Sequence, residues 1–238
     1  MEKTEKTHVV MLLDESGSMG CHRSSVVSSF NTYKEKIAAE TKRCFLSLYK
    51  FDMQFGSEAI LRKVFKNRKV KECYDLTHDQ YVPRGLTPLY DAIGLLIEKT
   101  KQRLPKEAKV LFVIHTDGME NASHRFSAAT IKRLISKLER KRGWVFTYLG
   151  EGLAAWGQEV AMGFANTSQY DSSLRGATMS KLATATVCFA STAKADNYGT
   201  QSFYGDAGIE DADDKETTAK PGPDVVTTSA TSEKPPVS

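Results

Sequence analysis

The sequence lacks the features that mark several large classes of protein. No apolar run approaches the roughly 18 to 20 residues that a membrane-spanning helix needs. The charged start M-E-K-T-E-K-T-H leads into only five apolar residues, too few for the core of a signal peptide. The four cysteines are scattered and include no C-x-x-C pair, so we expect neither a disulfide framework nor a zinc cluster. Together these absences predict a cytoplasmic protein with reduced thiols.

Catalytic signatures are also missing. Around Ser18 the sequence reads S-G-S-M-G, where Ser16 replaces the first glycine of the serine hydrolase motif G-x-S-x-G. The phosphate-binding loop G-x-x-x-x-G-K-[ST] is absent. No general base or anion-binding arginine is evident from local patterns. The sequence therefore argues against an enzyme.

Strand-like and helix-like segments alternate along the chain. Apolar runs at 9–13, 110–116 and 144–150 are typical of buried strands, and the amphipathic stretches between them have helical periodicity. The runs 43–51 and 59–65 are joined by a short polar turn and predict an antiparallel hairpin. We therefore expect an α/β fold: a doubly wound, Rossmann-like, mostly parallel sheet with one antiparallel edge strand and helices on both faces.

The composition changes near residue 197. The sequence from D-A-D-D-K-E onward has almost no large apolar residues and cannot bury enough surface to offset its ordering entropy. From Asp206 to the end, eight acidic residues and three lysines give a net charge of −5, which leaves +9 on the rest of this +4 chain. We predict one folded domain over 1–196 and a disordered, acidic, Pro-Thr-Ser-rich tail over 197–238.

Three predicted loops leave the carboxyl edge of the sheet with oxygen-bearing side chains. They are D-E-S-G-S after the first strand, R-G-L-T-P before an amphipathic segment, and T-D-G-M-E-N after the most apolar strand. Ligands of such sheets bind outside the carboxyl ends of the strands, so we expect these loops to converge. They offer two carboxylates and three hydroxyls: Asp14, Ser16, Ser18, Thr87 and Asp117.

This set of side chains predicts a site for a hard divalent cation. Mg²⁺ prefers about six oxygen ligands, some of them water, and the set contains no nitrogen or sulfur; Mn²⁺ and Ca²⁺ are alternatives. Two carboxylates only balance the charge of the ion, which leaves it able to attract an Asp or Glu side chain of a partner. Asp and Ser are also common in turns, and Thr87 before Pro88 is a good helix N-cap. Capping and metal contact are compatible, because a hydroxyl has two lone pairs.

The three loops also resemble those of a known family. D-E-S-G-S-M, G-L-T-P-L-Y-D-A-I and V-I-H-T-D-G-M-E-N are similar to the three parts of the metal-ion-dependent adhesion site (MIDAS) of von Willebrand factor type A (VWA) domains. The resemblance runs from about His8 to about Ala195 and is closest to compact, stand-alone microbial or phage-type members. It implies a complete MIDAS in which the serines bind the metal directly and Asp117 binds largely through water. It also implies a metal-dependent protein-binding module.

Other functions stay open at this point. A metal-dependent phosphoesterase would use the same oxygens. The segment 62–71 carries six basic residues and could contact nucleic acid, although lysines on an edge strand also guard against aggregation, which is the interpretation we favour. The acidic stretch I-E-D-A-D-D (209–214) could occupy the metal in the same chain or in a neighbouring copy. We expect a protein partner, no membrane contact and no nucleic acid.

Overall fold

The computed structural model describes residues 6–54, 60–142, 144–151, 157–170, 172–192 and 203–209. Within these ranges, strands and helices alternate along most of the chain. The strands are β1 (Thr7–Asp14), β2 (Cys44–Asp52), β3 (Ile60–Lys69), β4 (Lys109–Thr116), β5 (Val145–Glu151) and β6 (Asn166–Tyr170). The helices are α1 (Arg23–Glu40), α2 (Leu89–Arg103), α3 (Ala128–Arg142), α4 (Gln158–Met162) and α5 (Arg175–Ser191).

The strands form one sheet in the order β3-β2-β1-β4-β5-β6. Neighbouring strands are parallel except β2 and β3, which pair antiparallel at one edge. The predicted fold class is therefore confirmed. The strand order reverses between β1 and β4, because the chain first builds outward from β1 to β3 and then adds β4 on the other side of β1. A crevice at such a reversal is where α/β sheets bind their ligands.

Helices cover both faces of the sheet because successive side chains of a strand point to opposite faces. In β1, Val9, Met11 and Leu13 pack in the core shared with α1 and α5. Val10 and Leu12 pack in the core shared with α2 and α3. All five side chains are at most 2% exposed. This burial on both faces explains why the strand reads as an uninterrupted apolar run.

Two local predictions differ from the structure in extent. The stretch A-A-W-G-Q-E-V-A-M-G-F (154–164) predicts a helix, but α4 spans only Gln158–Met162, and residues 152–156 lie outside the described ranges. Gly157 and Gly163 flank α4 with φ angles of 84° and 74°, and these left-handed conformations end the helix at both sides. The residues S-Q-Y (168–170) predict a short edge strand, and in the structure that strand begins earlier, at Asn166, where it pairs with β5.

Part of the range predicted as tail packs on the core. Phe203 is 1% exposed and meets Phe189 of α5 edge to face, with ring centroids 6.2 Å apart. The hydroxyl of Tyr204 lies 3.1 Å from Thr147 Oγ1 in β5. Residues 193–202 and 210–238 lie outside the described ranges, so the boundary at 196, the disordered tail and its contact with the metal stay predictions. In the described ranges, no helix is both long enough and apolar enough to cross a membrane.

Candidate metal centre

The two predicted carboxylate ligands lie side by side at the reversal of strand order. Asp14 is the last residue of β1, and Asp117 directly follows the last residue of β4. Leu13 and His115 pair across the two strands, so both carboxylates emerge at the same edge of the sheet. Asp14 is fully buried, and the side chain of Asp117 is 8% exposed. The ladder between β1 and β4 thus positions both acids.

The two serines of the first loop bind to these carboxylates. The Ser18 hydroxyl donates to Asp117 Oδ1 at 2.8 Å and lies 3.3 Å from Ser16 Oγ. The backbone N–H of Ser16 donates to Asp14 Oδ1 at 2.7 Å. A short 3₁₀ helix, Gly17–His22, starts immediately after Ser16 and folds the loop back over the strand end. The first loop therefore contacts both acids directly, through hydrogen bonds within the chain.

Thr87 completes the cluster, and Gly118 leaves room at its centre. A Cβ atom built on Gly118 would lie 3.2 Å from Thr87 Oγ1, 3.4 Å from Ser18 Oγ and 3.5 Å from Asp14 Oδ2. These oxygens come from distant segments and surround one small space that a residue without a side chain keeps open. The structure therefore brings all five predicted residues together: Asp14, Ser16, Ser18, Thr87 and Asp117.

Backbone contacts hold Thr87 against the third loop. Asn121 Oδ1 accepts the Thr87 N–H at 2.8 Å, and the Asn121 N–H donates to the Thr87 carbonyl at 3.1 Å. Helix α2 starts at Leu89, with Pro88 as its cap residue, one position later than the sequence predicts. The Thr87 hydroxyl makes no hydrogen bond to another described residue and does not cap the helix, so it is available as a ligand.

Burial controls the charge of both acids. Burial raises the pKa of Asp14 to about 7, although hydrogen bonds from Thr116 and Ser16 oppose the change. The Thr116 hydroxyl donates to Asp14 Oδ2 at 2.5 Å. Burial also raises the pKa of Asp117, against the hydrogen bond from Ser18. Without a cation the cluster is therefore short of positive charge, and a bound divalent ion would replace a proton.

The available ligands fit a hard divalent cation. Among the described residues, no group of three or more His, Cys, Asp and Glu side chains could hold a metal ion. A metal in this cluster would therefore depend on two carboxylates, three hydroxyls and water. Mg²⁺ accepts such a shell because it keeps several waters and uses few carboxylates.

Glu15 lies between two predicted ligands and has a role that local patterns did not reveal. It is 1% exposed, and its carboxylate accepts from Lys50 Nζ at 2.9 Å, from Arg62 and from the Val82 N–H. Its carbonyl accepts the Arg84 N–H at 2.7 Å. Glu15 therefore ties the first loop to the segment that carries the threonine of the cluster.

Further supports come from distant parts of the chain. The Tyr81 hydroxyl donates to the Asp14 carbonyl at 2.5 Å, and Gln158 Nε2 donates to the Gly118 carbonyl at 3.0 Å. Glu120 accepts the Tyr90 N–H at 3.0 Å. Glu120 lies within the T-D-G-M-E-N segment, so the loop pattern could have drawn attention to it, but only Asp117 of that loop is among the residues predicted from the sequence. Tyr81 and Gln158 had no such signal, because only the folded chain brings them near the cluster.

A histidine and a buried ion pair border Asp117. His22 Nε2 lies 3.9 Å from Asp117 Oδ2, and His22 Nδ1 lies 3.4 Å from Glu151 Oε1. Arg175 Nε donates to Glu151 Oε2 at 2.9 Å. Burial alone would raise the pKa of Glu151, but hydrogen bonds from His115 and Arg175 outweigh it and lower that pKa to about 2. Glu151 therefore stays ionised beside the cluster, which the sequence did not indicate.

Solved structures share this fold at low sequence identity. No family model matches the sequence, and a comparison with curated proteins finds no similar sequence. Proximal thread matrix protein 1 from the mussel byssus is 14% identical with a TM-score of 0.54, over 76% of this chain and 46% of that one. The PilB minor pilin of Streptococcus sanguinis is 12% identical with a TM-score of 0.56, over 79% of this chain and 62% of that one. The pilus adhesin SpaC of Lactobacillus rhamnosus GG is 12% identical with a TM-score of 0.57, over 79% of this chain and 31% of that one.

These similarities establish the architecture. The chain shares the α/β fold of these proteins. Membership of the VWA family stays what the resemblance of its three loops implies. The mussel protein has also been solved with a zinc-occupied MIDAS motif. The match to that structure covers 76% of this chain and 45% of that one. The chain spans less than two thirds of the length of each of these proteins.

Proposed function

We propose that the five-residue cluster is a MIDAS that binds one divalent cation, Mg²⁺ first, with Mn²⁺ and Ca²⁺ as alternatives. The observation that supports this most directly is the space beside Gly118, around which oxygens of Asp14, Ser18 and Thr87 lie. Ser16 and Asp117 would complete the shell. When bound, the metal would supply a positive charge that the buried acids lack, and the residues of the chain would hold it at the strand ends.

The metal would act as a capture point for an acidic side chain of a partner protein. Ser18 is exposed whereas Asp14 and Ser16 are buried, so an outside ligand would approach on the Ser18 side. Met119, two residues after Asp117, is 60% exposed and gives the third loop an exposed apolar side chain. An exposed polar site beside an apolar side chain is suited to protein recognition. The shared fold with a pilus adhesin is compatible with such a binding module.

The other predictions about context stay part of this proposal. A compact stand-alone form, a cytoplasmic location and a non-enzymatic role rest on the sequence. A partner that offers Asp or Glu follows from the charge balance of the cluster.

Calorimetric titration with Mg²⁺ tests the proposal. The wild type should give a saturable heat of binding, whereas Asp117→Asn should give only the heat of dilution. Asp79→Asn is the matched control, because Asp79 is an exposed acid in a short 3₁₀ helix, His78–Gln80, that carries no predicted ligand. Equal heats for the wild type and Asp117→Asn would contradict the proposal. A pull-down with and without chelator then tests whether capture of a partner depends on the metal.

A metal-dependent phosphoesterase is the second candidate, and the position of His22 favours it. A histidine oriented by a carboxylate beside a metal-bound water is an arrangement that general-base catalysis uses. His22 lies between Glu151 and Asp117 at 3.4 and 3.9 Å. Turnover of generic phosphoesters that disappears in both His22→Gln and Asp117→Asn would support this alternative. Absence of turnover with Mg²⁺ or Mn²⁺ would leave the binding module as the function.

A further inference from the structure

Helix α3 carries a row of cations on its exposed face. Five exposed basic side chains line a shallow groove of about 650 Å³, together with Ala129 and Ser136. We call these five residues the α3 stripe: Lys132, Arg133, Lys137, Arg140 and Lys141. No acidic residue lines the groove.

Packing of α3 against the core fixes the direction in which the α3 stripe faces. Ile131, Ile135 and Leu138 are at most 3% exposed and pack in the core on the other side of the helix. Side chains three or four residues apart share a helix face, so the stripe lies opposite this apolar face. From Lys132 to Lys141 the helix rises about 13.5 Å at about 1.5 Å per residue. The stripe is therefore a band of charge that covers the side of α3 facing away from the core.

The charge of the stripe is not neutralised by the described residues. Arg140 Nε donates to the Ser136 carbonyl at 3.2 Å, and Arg133 Nη2 donates to Thr130 Oγ1 at 3.3 Å, and both acceptors are neutral. Within the described ranges, no ion pair involves a residue of the stripe. The acid of the same helix, Glu139, lies outside the groove, and its buried Oε1 has no hydrogen-bond partner among the described residues.

The basic segment 62–71 differs in this respect. Arg62 pairs with both Glu15 and Asp52. Lys69 pairs with Glu72 at 3.2 Å. Part of the charge that the sequence displays in that segment is therefore used within the protein. The α3 stripe has fewer basic residues but keeps its charge available.

We propose that the α3 stripe binds the phosphate backbone of double-stranded nucleic acid, without sequence preference. Duplex DNA carries one negative charge per about 1.7 Å of its axis, which gives a helix-long row of cations many phosphates to contact. Interfaces with nucleic acid are polar and positively charged, as the stripe is. This function lies beyond the metal site and does not depend on it.

The chemistry of the stripe argues against three other kinds of partner: a protein, a membrane surface and a single-stranded nucleic acid. The large hydrophobic side chains that are exposed in the described ranges lie elsewhere, so the groove offers a protein partner only Ala129 and the aliphatic stems of the stripe as apolar surface. They are Tyr74, Val82, Met119, Val160 and Leu174. A membrane-surface helix buries its apolar face in lipid, but the apolar face of α3 is already in the core. No aromatic residue lines the groove, so single-stranded bases would find no stacking partner.

Fluorescence anisotropy with a labelled random-sequence duplex of about 20 base pairs tests the proposal. The full chain is titrated in EDTA, so that the metal site makes no contribution. Five phosphate contacts predict a slope of about −4.5 in log affinity against log salt, or a roughly 500-fold loss between about 50 and 200 mM salt. The triple variant Lys137→Gln, Arg140→Gln, Lys141→Gln should have a slope of about −1.8, or a roughly 12-fold loss over that range.

A matched control separates the stripe from net charge. The variant Lys63→Gln, Lys66→Gln, Arg68→Gln removes three exposed cations from 62–71 and should keep the wild-type slope. Circular dichroism confirms that both variants are folded. Equal losses in the two triple variants, or no binding of the wild type at low salt, would overturn the proposal. Binding to vesicles of phosphatidylserine and phosphatidylcholine in equal parts, without binding to the duplex, would overturn it in favour of a membrane surface.

Discussion

Replacement of Glu15 tests whether a buried ion-pair network positions the predicted metal ligands. The Glu15 carboxylate faces Lys50 and Arg62, whose side chains are 10% and 24% exposed. Glu15→Ala removes the shared partner of two largely buried cations. Breaking a buried pair in this way costs about 3–5 kcal/mol. Because Arg62 keeps Asp52 as a second partner, we expect a loss of about 2–4 kcal/mol in the free energy of unfolding.

The same change should weaken the metal site. The Glu15 side chain accepts the Val82 N–H, and this contact helps to hold the segment that carries Thr87. Loss of residues that orient metal ligands typically lowers metal affinity about 10- to 100-fold. Glu15→Gln keeps the size and one acceptor oxygen, so it should have the smaller effect on both stability and Mg²⁺ affinity.

Urea unfolding in EDTA measures the stability change, and calorimetric titration measures Mg²⁺ affinity. Glu98→Ala is the matched control, because Glu98 pairs with Arg125 at 3.0 Å on the surface, with side chains 42% and 59% exposed. An exposed pair of this kind contributes about 0–1 kcal/mol. If Glu15→Ala costs no more than Glu98→Ala, the buried network does not stabilise the fold. If stability falls while Mg²⁺ affinity is unchanged, Glu15 does not position the ligands.

Four other predictions address the cluster and its loops. Gly118→Ala places a methyl group among the ligand oxygens and should abolish the heat of Mg²⁺ binding while the circular dichroism spectrum is retained; normal binding would show that the space is not the metal site. Because Asp14 in the metal-free protein has a pKa of about 7, Mg²⁺ must displace a proton below that pH, and calorimetry should show affinity falling about tenfold per pH unit. The metal-free protein should also lose stability as pH rises from about 4 to about 7, since the unfolded chain releases this proton earlier; urea unfolding with no such trend would contradict the shift. Gly85→Ala, at φ 71° with a Cβ atom 2.2 Å from the Met53 carbonyl oxygen, should cost more than about 1 kcal/mol in urea unfolding, whereas the control Gly176→Ala, with open space around it, should not.

The sequence by itself determined the architecture and the five residues of the cluster. Strands β1 and β4 are buried on both faces, so their continuous apolar runs predict central parallel strands. Asp14 and Asp117 could be identified because each directly follows such a run, and strand ends meet at one edge of the sheet. Ser16, Ser18 and Thr87 could be identified because they lie in oxygen-bearing loops predicted at the same edge, and the resemblance to VWA loops implies the same positions. The structure brings these five side chains together, and their binding to a metal stays a proposal.

Only the tertiary structure decided which charged residues are used inside the protein and which remain available. Arg62 reads as one of several surface cations in the sequence, but the fold places it against Glu15 and Asp52. His22 reads as isolated, but the fold places it beside Asp117 and Glu151. The α3 stripe keeps its charge because no acid lines its groove. The physical reason is that hydrophobic periodicity is local in the chain, whereas the neutralisation of a charge depends on groups a few ångströms away that come from distant segments.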